Sequence, residues 1–167
     1  INPNADTSVP ITGTNGRQIG VILFPQNSVP FTVELRYTVR QQPSRALPIS
    51  QRNLGQVFQI TFFNVTTGQE LPTFATTGAI SVTIAFPAPT TAMLAAVPPS
   101  SVEIAALVGT AWADAAATCT PPSPYERVDG RISTSACSGR EFALTGRNNL
   151  VYLPLIVRAD PNRTTQR

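Results

Sequence analysis

Short apolar runs that end at proline or at other turn-forming residues recur along this chain, and they limit the folds open to it. The clearest covers residues 31–39, where apolar residues occupy every second position. Such alternation predicts a β-strand with one buried face. Further runs of this kind predict strands at 18–24, 56–64, 79–86, 130–138, 141–144 and 150–157.

The segment 101–118 is open to two interpretations. Its alanine content permits a helix, whereas Gly109 at its centre and the β-branched residues around it favour two strands that turn at Gly109 and Thr110. In total, about seven to nine short strands separated by turn signals predict an all-β fold, an antiparallel β-sandwich.

The length of 167 residues fits one domain. Residues 1–17 lack a sustained pattern and are interpreted as a lead-in, either an extended edge segment or a linker. Residues 18–157 are the predicted β-sandwich domain, within which the polar stretch 40–54 is assigned to a loop. Residues 158–167 are a polar tail. Pro154 places the strand 150–157 at a sheet edge or at a bulge.

The composition excludes several kinds of chemistry. The chain has no histidine, so a Ser-His-Asp triad, a Cys-His pair and a His-ligated metal site are impossible within it. We therefore expect no enzyme, no catalytic residue, no metal and no cofactor. All twelve basic residues are arginines scattered along the chain, which argues against a nucleic-acid partner. No apolar run reaches the roughly 18 residues of a membrane span.

The two cysteines, Cys119 and Cys137, flank a proline-rich turn and the densest run of charge. They could be redox thiols or metal ligands. A disulfide is favoured because a chain with much threonine and serine, no lysine and two glycosylation sequons is typical of the secretory pathway. Closing a loop of this size would stabilise the fold by about 3 kcal/mol in the chain-entropy model.

Two N-x-[ST] sequons, at Asn64 and Asn162, lie at a predicted strand end and in the polar tail, where a glycan has room. Proline-serine runs at 98–101 and 121–124 fit short exposed polyproline II stretches. They are similar to the hydroxyproline-linked glycan sites of plants and green algae, and plain rigid turns explain them equally well.

Nine carboxylates are spread along the chain. Glu34 and Glu103 could form a glycosidase pair if they faced one another across a sheet, but a solvated strand face explains them more simply. Glu126 and Asp129 could bind calcium, although no calcium-loop motif is present.

The C-terminal third resembles the GAIN/GPS region of adhesion receptors, polycystin-1-like proteins and algal surface proteins. Residues 130–137, GRISTSAC, are similar to the W-S-T-x-G-C step of that family, with Ile132 in place of tryptophan. Upstream, Phe62-Phe63-Asn64, residues 67–71 and the run 79–87 resemble strands of the same sandwich.

This sequence lacks the second pair of family cysteines. Two alignments of the following residues are open: Ala143-Leu144-Thr145 stands at the family's His-Leu-Thr step, or Phe142-Ala143-Leu144 matches its later F-A-V-L segment. In the first, Thr145 would have no general base, and neither alignment leads us to expect self-cleavage. The resemblance covers residues 55–157 and implies an ectodomain module.

The sequence therefore predicts a non-enzymatic extracellular module, structural or adhesive, in a larger glycosylated cell-surface or flagellar-surface assembly. Its expected partners are other protein chains, including copies of itself, and N-linked or hydroxyproline-linked glycans. One alternative is a capsid or decoration protein of a virus or phage. Another is a carbohydrate-binding module, whose aromatic platform would come from Trp112, Tyr37, Tyr125 and Tyr152.

Overall fold

The computed structural model describes residues 1–71, 82–87, 89–90, 94, 97–128 and 130–147. Strands dominate these residues, and two short 3-10 turns, Pro99–Ser101 and Ala116–Thr118, interrupt them. In chain order the strands are Thr7–Thr12 (β1), Gln18–Phe24 (β2), Val33–Arg40 (β3), Gln51–Asn64 (β4), Glu70–Leu71 (β5), Val82–Pro87 (β6), Val102–Val108 (β7), Ala111–Asp114 (β8), Glu126–Val128 (β9), Arg131–Ala136 (β10) and Glu141–Arg147 (β11).

The strands form two antiparallel sheets that pack face to face. The first sheet has the order β1-β2-β6-β10-β9, and the second has the order β3-β4-β11-β7-β8, with β5 added to the end of β4. Each sheet buries one face against the other because apolar residues alternate along the strands. The all-β sandwich predicted from the apolar runs is confirmed.

Phenylalanine rings fill the centre of the sandwich. Phe58 on β4 and Phe142 on β11 lie side by side in the second sheet, with ring centroids 5.8 Å apart. Phe58 also contacts Phe86 on β6 of the first sheet, at 5.3 Å. All three rings are fully buried. These contacts join the two sheets at the middle of the core.

The predicted hairpin within 101–118 is confirmed as β7 and β8. Its two-residue turn is Gly109-Thr110, and Gly109 has a φ of 58°, which a residue with a side chain rarely adopts. The helical alternative for this segment is wrong. Strand formation fits its place beside β11, where apolar residues of β7 face the core.

Two boundaries differ from the sequence-based expectation. The assigned loop 40–54 ends earlier, because β4 begins at Gln51 and its Leu54 is buried. The lead-in 1–17 contains β1, an edge strand whose Ile11 is fully buried, so the extended edge segment is the alternative that the structure bears out. The predicted strand 150–157 and the tail 158–167 lie outside the described residues.

Among the residues that the structure places, no helix is long and apolar enough to span a membrane.

We predict that Phe58→Ala lowers the free energy of unfolding by about 3–5 kcal/mol, because it removes the ring that contacts both sheets and leaves a cavity. Urea unfolding followed by circular dichroism measures this loss. The matched control is Val128→Ala, whose side chain is 63% exposed and whose truncation should cost less than about 0.5 kcal/mol. Equal losses in the two variants would contradict the assigned core.

Candidate functional site

A disulfide joins Cys119 to Cys137, as the sequence predicts, with Cα atoms 4.9 Å apart. Cys119 follows the 3-10 turn after β8, at one edge of the second sheet, and Cys137 follows β10 of the first sheet. The bond therefore connects the two sheets covalently along one lateral side of the sandwich. We call residues 114–137 on this side the clamp.

Hydrogen bonds hold the clamp in place on both sides of the disulfide. The hydroxyl of Thr118 donates to the carbonyl of Ala115 (2.6 Å) and accepts from the backbone N–H of Cys137 (3.0 Å). The buried hydroxyl of Thr134 on β10 donates to the carbonyl of Pro124 at 3.0 Å. These side chains satisfy backbone groups that the irregular chain leaves without a strand partner.

Tyr125 is the central residue of the clamp. Its hydroxyl accepts from the backbone N–H of Ile104 at 3.0 Å and lies 2.5 Å from a carboxylate oxygen of Asp114, which also accepts from the N–H of Ala116. Burial, followed by the hydrogen bond to Asp114, raises the pKa of Tyr125 well above its ordinary value. The neutral phenol thus ties the segment before β9 to both β7 and β8.

Arg127 extends this contact toward the surface. Its Nη2 donates to the carbonyl of Val102 at 2.8 Å, and its guanidinium lies 5.7 Å from the ring centroid of Tyr125. Beside it is a cavity of about 240 Å³, smaller than typical small-molecule sites. The described lining includes Pro89, Leu94, Pro99, Val102, Arg127 and Arg131, and it contains no nucleophile or carboxylate.

The carboxylates do not assemble into a catalytic or metal site within the described chain. Glu34 on β3 pairs with Arg36 at 2.7 Å, whereas Glu103 on β7 pairs with Arg147 at 2.9 Å. Two strands, β4 and β11, separate them, so the glycosidase pairing of Glu34 and Glu103 is wrong. In the described ranges no three His, Cys, Asp or Glu residues cluster as metal ligands. Asp129 lies outside those ranges.

The sequence did not predict that Glu141 is buried. Glu141, the first residue of β11, is only 1% exposed, and its Oε1 accepts from the backbone N–H of Ser44 at 2.7 Å. The contact holds the loop between β3 and β4 against the second sheet. No sequence signal distinguished Glu141 from the exposed carboxylates, because its burial depends on where that loop folds.

The described aromatic residues considered for a sugar platform are divided between the two lateral sides of the sandwich. Trp112 is half-buried on β8, and its indole N–H donates to the carbonyl of Arg45. Tyr37 lies on β3, at the opposite edge of the same sheet, and Tyr125 is occupied within the clamp. Tyr152 is outside the described residues. Trp112 and Tyr125 both lie on the β8 side with their polar groups bonded to the protein, and Tyr37 lies on the other side, so the three do not form one platform.

The sequon at Asn64 lies in a turn that presents it to solvent. The side-chain oxygen of Asn64 accepts from the N–H groups of Thr66 (2.8 Å) and Thr67 (3.2 Å), and Thr66 is exposed. No described residue accepts a hydrogen bond from the Asn64 amide nitrogen. The second sequon, Asn162, lies outside the described residues.

The proline-serine run 98–101 is not an exposed polyproline II stretch. Pro99–Ser101 forms a 3-10 turn, and the Ser101 hydroxyl donates to the carbonyl of Pro98 at 2.8 Å. The rigid-turn alternative is the one that this run adopts.

Neither a family model nor a curated protein matches this sequence. Its function is therefore inferred from the geometry of its own residues.

We predict that removing the disulfide with the double variant Cys119→Ala/Cys137→Ala lowers the free energy of unfolding by about 3 kcal/mol, because the unfolded chain gains the entropy of an open 18-residue loop. Urea unfolding of both proteins, with and without reductant, measures the loss. Reductant should destabilise the wild type alone. Equal stabilities of the oxidised and reduced wild type would show that the clamp holds without its covalent bond.

We predict that stability falls as the pH rises above about 10, partly because of Tyr125. Its pKa is raised in the folded protein, so the unfolded chain releases this proton first and alkaline conditions favour unfolding. Urea unfolding between about pH 8 and about pH 11 tests this. Tyr125→Phe should be less stable at neutral pH yet lose stability more slowly as the pH rises. Parallel pH curves for the two proteins would contradict the assignment.

Proposed function

We propose that this protein is a non-enzymatic extracellular module, structural or adhesive, in a larger glycosylated cell-surface or flagellar-surface assembly. The observation that carries the proposal is the disulfide between Cys119 and Cys137. Disulfides of this structural kind persist in oxidising compartments and are rare in the cytosol of most organisms. Because the bond joins two sheets rather than lying at an open surface, it suits a structural role better than a redox role.

The turn at Asn64 supports the same setting. Its sequon lies at the end of β4, where the exposed Val65 and Thr66 leave room for a glycan. The two bonds that the Asn64 side-chain oxygen accepts hold the side chain in one orientation and leave its amide nitrogen, the atom that carries an N-linked glycan, without an acceptor among the described residues.

The other two functions are weaker candidates. A carbohydrate-binding module needs an aromatic platform, whereas Tyr37 and Trp112 lie at opposite edges of the second sheet and the Tyr125 hydroxyl is bonded within the clamp. A viral or phage coat protein would fit a β-sandwich, but an occupied sequon would be incompatible with the phage version. The resemblance to the GAIN/GPS region remains a prediction and carries no part of this argument.

We expect the native chain, analysed by intact mass spectrometry, to carry the disulfide and N-linked sugar. Its mass should rise by two hydrogens on reduction and fall on treatment with an N-glycosidase. In a eukaryotic secretory host, Thr66→Ala should remove the sugar at Asn64, whereas Thr66→Ser, which preserves the sequon, should retain it. A bare native chain with free thiols would overturn the extracellular assignment and favour a coat protein.

A further inference from the structure

Among the strands that the structure describes, β1 and β9 end the first sheet and β3 and β8 end the second, and all of these except β3 are protected against pairing with another chain. β1 contains Pro10 and a register shift at Ile11 and Thr12, while β8 and β9 span only four and three residues. Short strands, proline and bulges are the usual means of blocking an edge. β3 has none of these: it pairs regularly with β4 over eight residues and contains no proline. Charged side chains can also block an edge, but those of β3 carry both signs, so they do not repel every partner.

The hydrogen-bonding groups of β3 alternate between β4 and the outside. Val33 exchanges both of its backbone hydrogen bonds with Ile1 (2.7 and 3.1 Å). The N–H and C=O groups of Val33 therefore point away from β4. By the two-residue period of a strand, the N–H and C=O groups of Leu35, Tyr37 and Val39 also point outward. None of them has a backbone partner among the residues that the structure describes.

The contact with Ile1 shows which strand direction fits the outer side of β3. Ile1 and Val33 form the reciprocal pair of an antiparallel ladder, so an antiparallel neighbour fits the outer side of β3. Ile1 lies opposite Val33 and does not extend along the stretch from Leu35 to Val39, which can therefore pair with another strand. Tyr37 at its middle is 37% exposed, and its hydroxyl accepts from the N–H of Thr12 on β1.

We propose that β3 is a self-association edge, along which a second copy of this chain pairs antiparallel about Tyr37. In this register Tyr37 lies opposite Tyr37 of the partner subunit, and Leu35 lies opposite Val39 of the partner subunit. All outward groups of these three residues then find partners. The register centred two residues earlier, on Leu35, is blocked because it would place the partner subunit's Tyr37 opposite Val33, whose backbone groups are bonded to Ile1.

The outer face of β3 is complementary to itself in the same register. Glu34, which also pairs with Arg36 of its own strand, lies opposite Arg40 of the partner subunit, and the two-fold symmetry repeats this pair. Arg36 lies opposite Thr38 of the partner subunit, so no two like charges face each other. On the inner face, apolar side chains meet apolar side chains. Charge, hydrophobicity and backbone geometry therefore all favour a second copy of this chain as the partner of β3.

This pairing deepens the proposed structural role and rests on that role for its biological setting. The pairing itself is a property of β3, and it can be tested on the full chain in isolation. Its failure and the failure of the extracellular assignment would therefore be seen in different measurements, sedimentation in one case and the native mass in the other.

We expect analytical ultracentrifugation to show a concentration-dependent dimer of the full chain. Arg40→Glu should weaken dimerisation by at least about tenfold, because it places two carboxylates opposite each other twice. Arg17→Glu, the same charge change at an exposed turn residue, should have no such effect. The double variant Glu34→Arg/Arg40→Glu should restore dimerisation toward that of the wild type. A wild type that stays monomeric, or equal effects of both single variants, would overturn the proposal.

The register has its own test. Glu34→Cys and Arg40→Cys should form a disulfide-linked dimer when the two variants are mixed under mild oxidation, since opposed residues of a non-hydrogen-bonded pair have Cα atoms about 4.5 Å apart. Neither variant should cross-link with itself, because six residues of offset separate identical positions by about 20 Å. Equal cross-linking of each variant alone would show that the register is wrong.

Hydrogen exchange distinguishes a second copy from another segment of the same chain, such as residues 150–157. In the dimer, the amides of Leu35, Tyr37 and Val39 should exchange slowly at high protein concentration and rapidly on dilution. Slow exchange at every concentration in a monomeric protein would mean that the chain covers its own edge, and the proposal would be wrong.

Discussion

The contact between Phe58 and Phe86 is the interaction on which the rest of the structure depends. It is the point where the ring from β4 of one sheet meets the ring from β6 of the other, and Phe142 completes the cluster beside it. Both sheets bury their apolar faces here, so the edges of the sandwich can contain irregular segments without exposing the core. The clamp contributes Ala115, Ile132 and Ala136 to the same core, whereas the exposed turns lie outside it.

The two lateral sides of the sandwich differ in a way that follows from this arrangement. On one side the short strands β8 and β9 are held by the disulfide, by the Tyr125 hydroxyl and by Arg127, which together tie three strands and two sheets. On the other side the hydroxyl of Tyr37 on β3 accepts a hydrogen bond of 3.3 Å from the N–H of Thr12 on β1, and no covalent bond joins these two strands. The chain thus places its covalent bond where its strands are shortest.

The alternation of apolar and polar residues predicted the fold class well, because the apolar positions are those that a strand buries. The runs that became β2, β3, β10 and the β7–β8 hairpin follow from apolar spacing and from Gly109. The start of β4 was missed because Gln51–Asn53 are polar and gain strand structure only by pairing with β11. The bridge from Tyr125 to Asp114 and the burial of Glu141 could not be predicted, since they depend on how distant segments meet.

The edge strands also limit how many copies of the chain can join by extending the sheets. A sandwich with several open edges can add neighbours without end, as fibres do, whereas three of the four edges described here are blocked by proline, by a register shift or by short length. Joining two molecules through β3 would use the remaining edge in both of them. Assembly by sheet extension would then stop at a closed pair, and any larger array would need contacts of another kind.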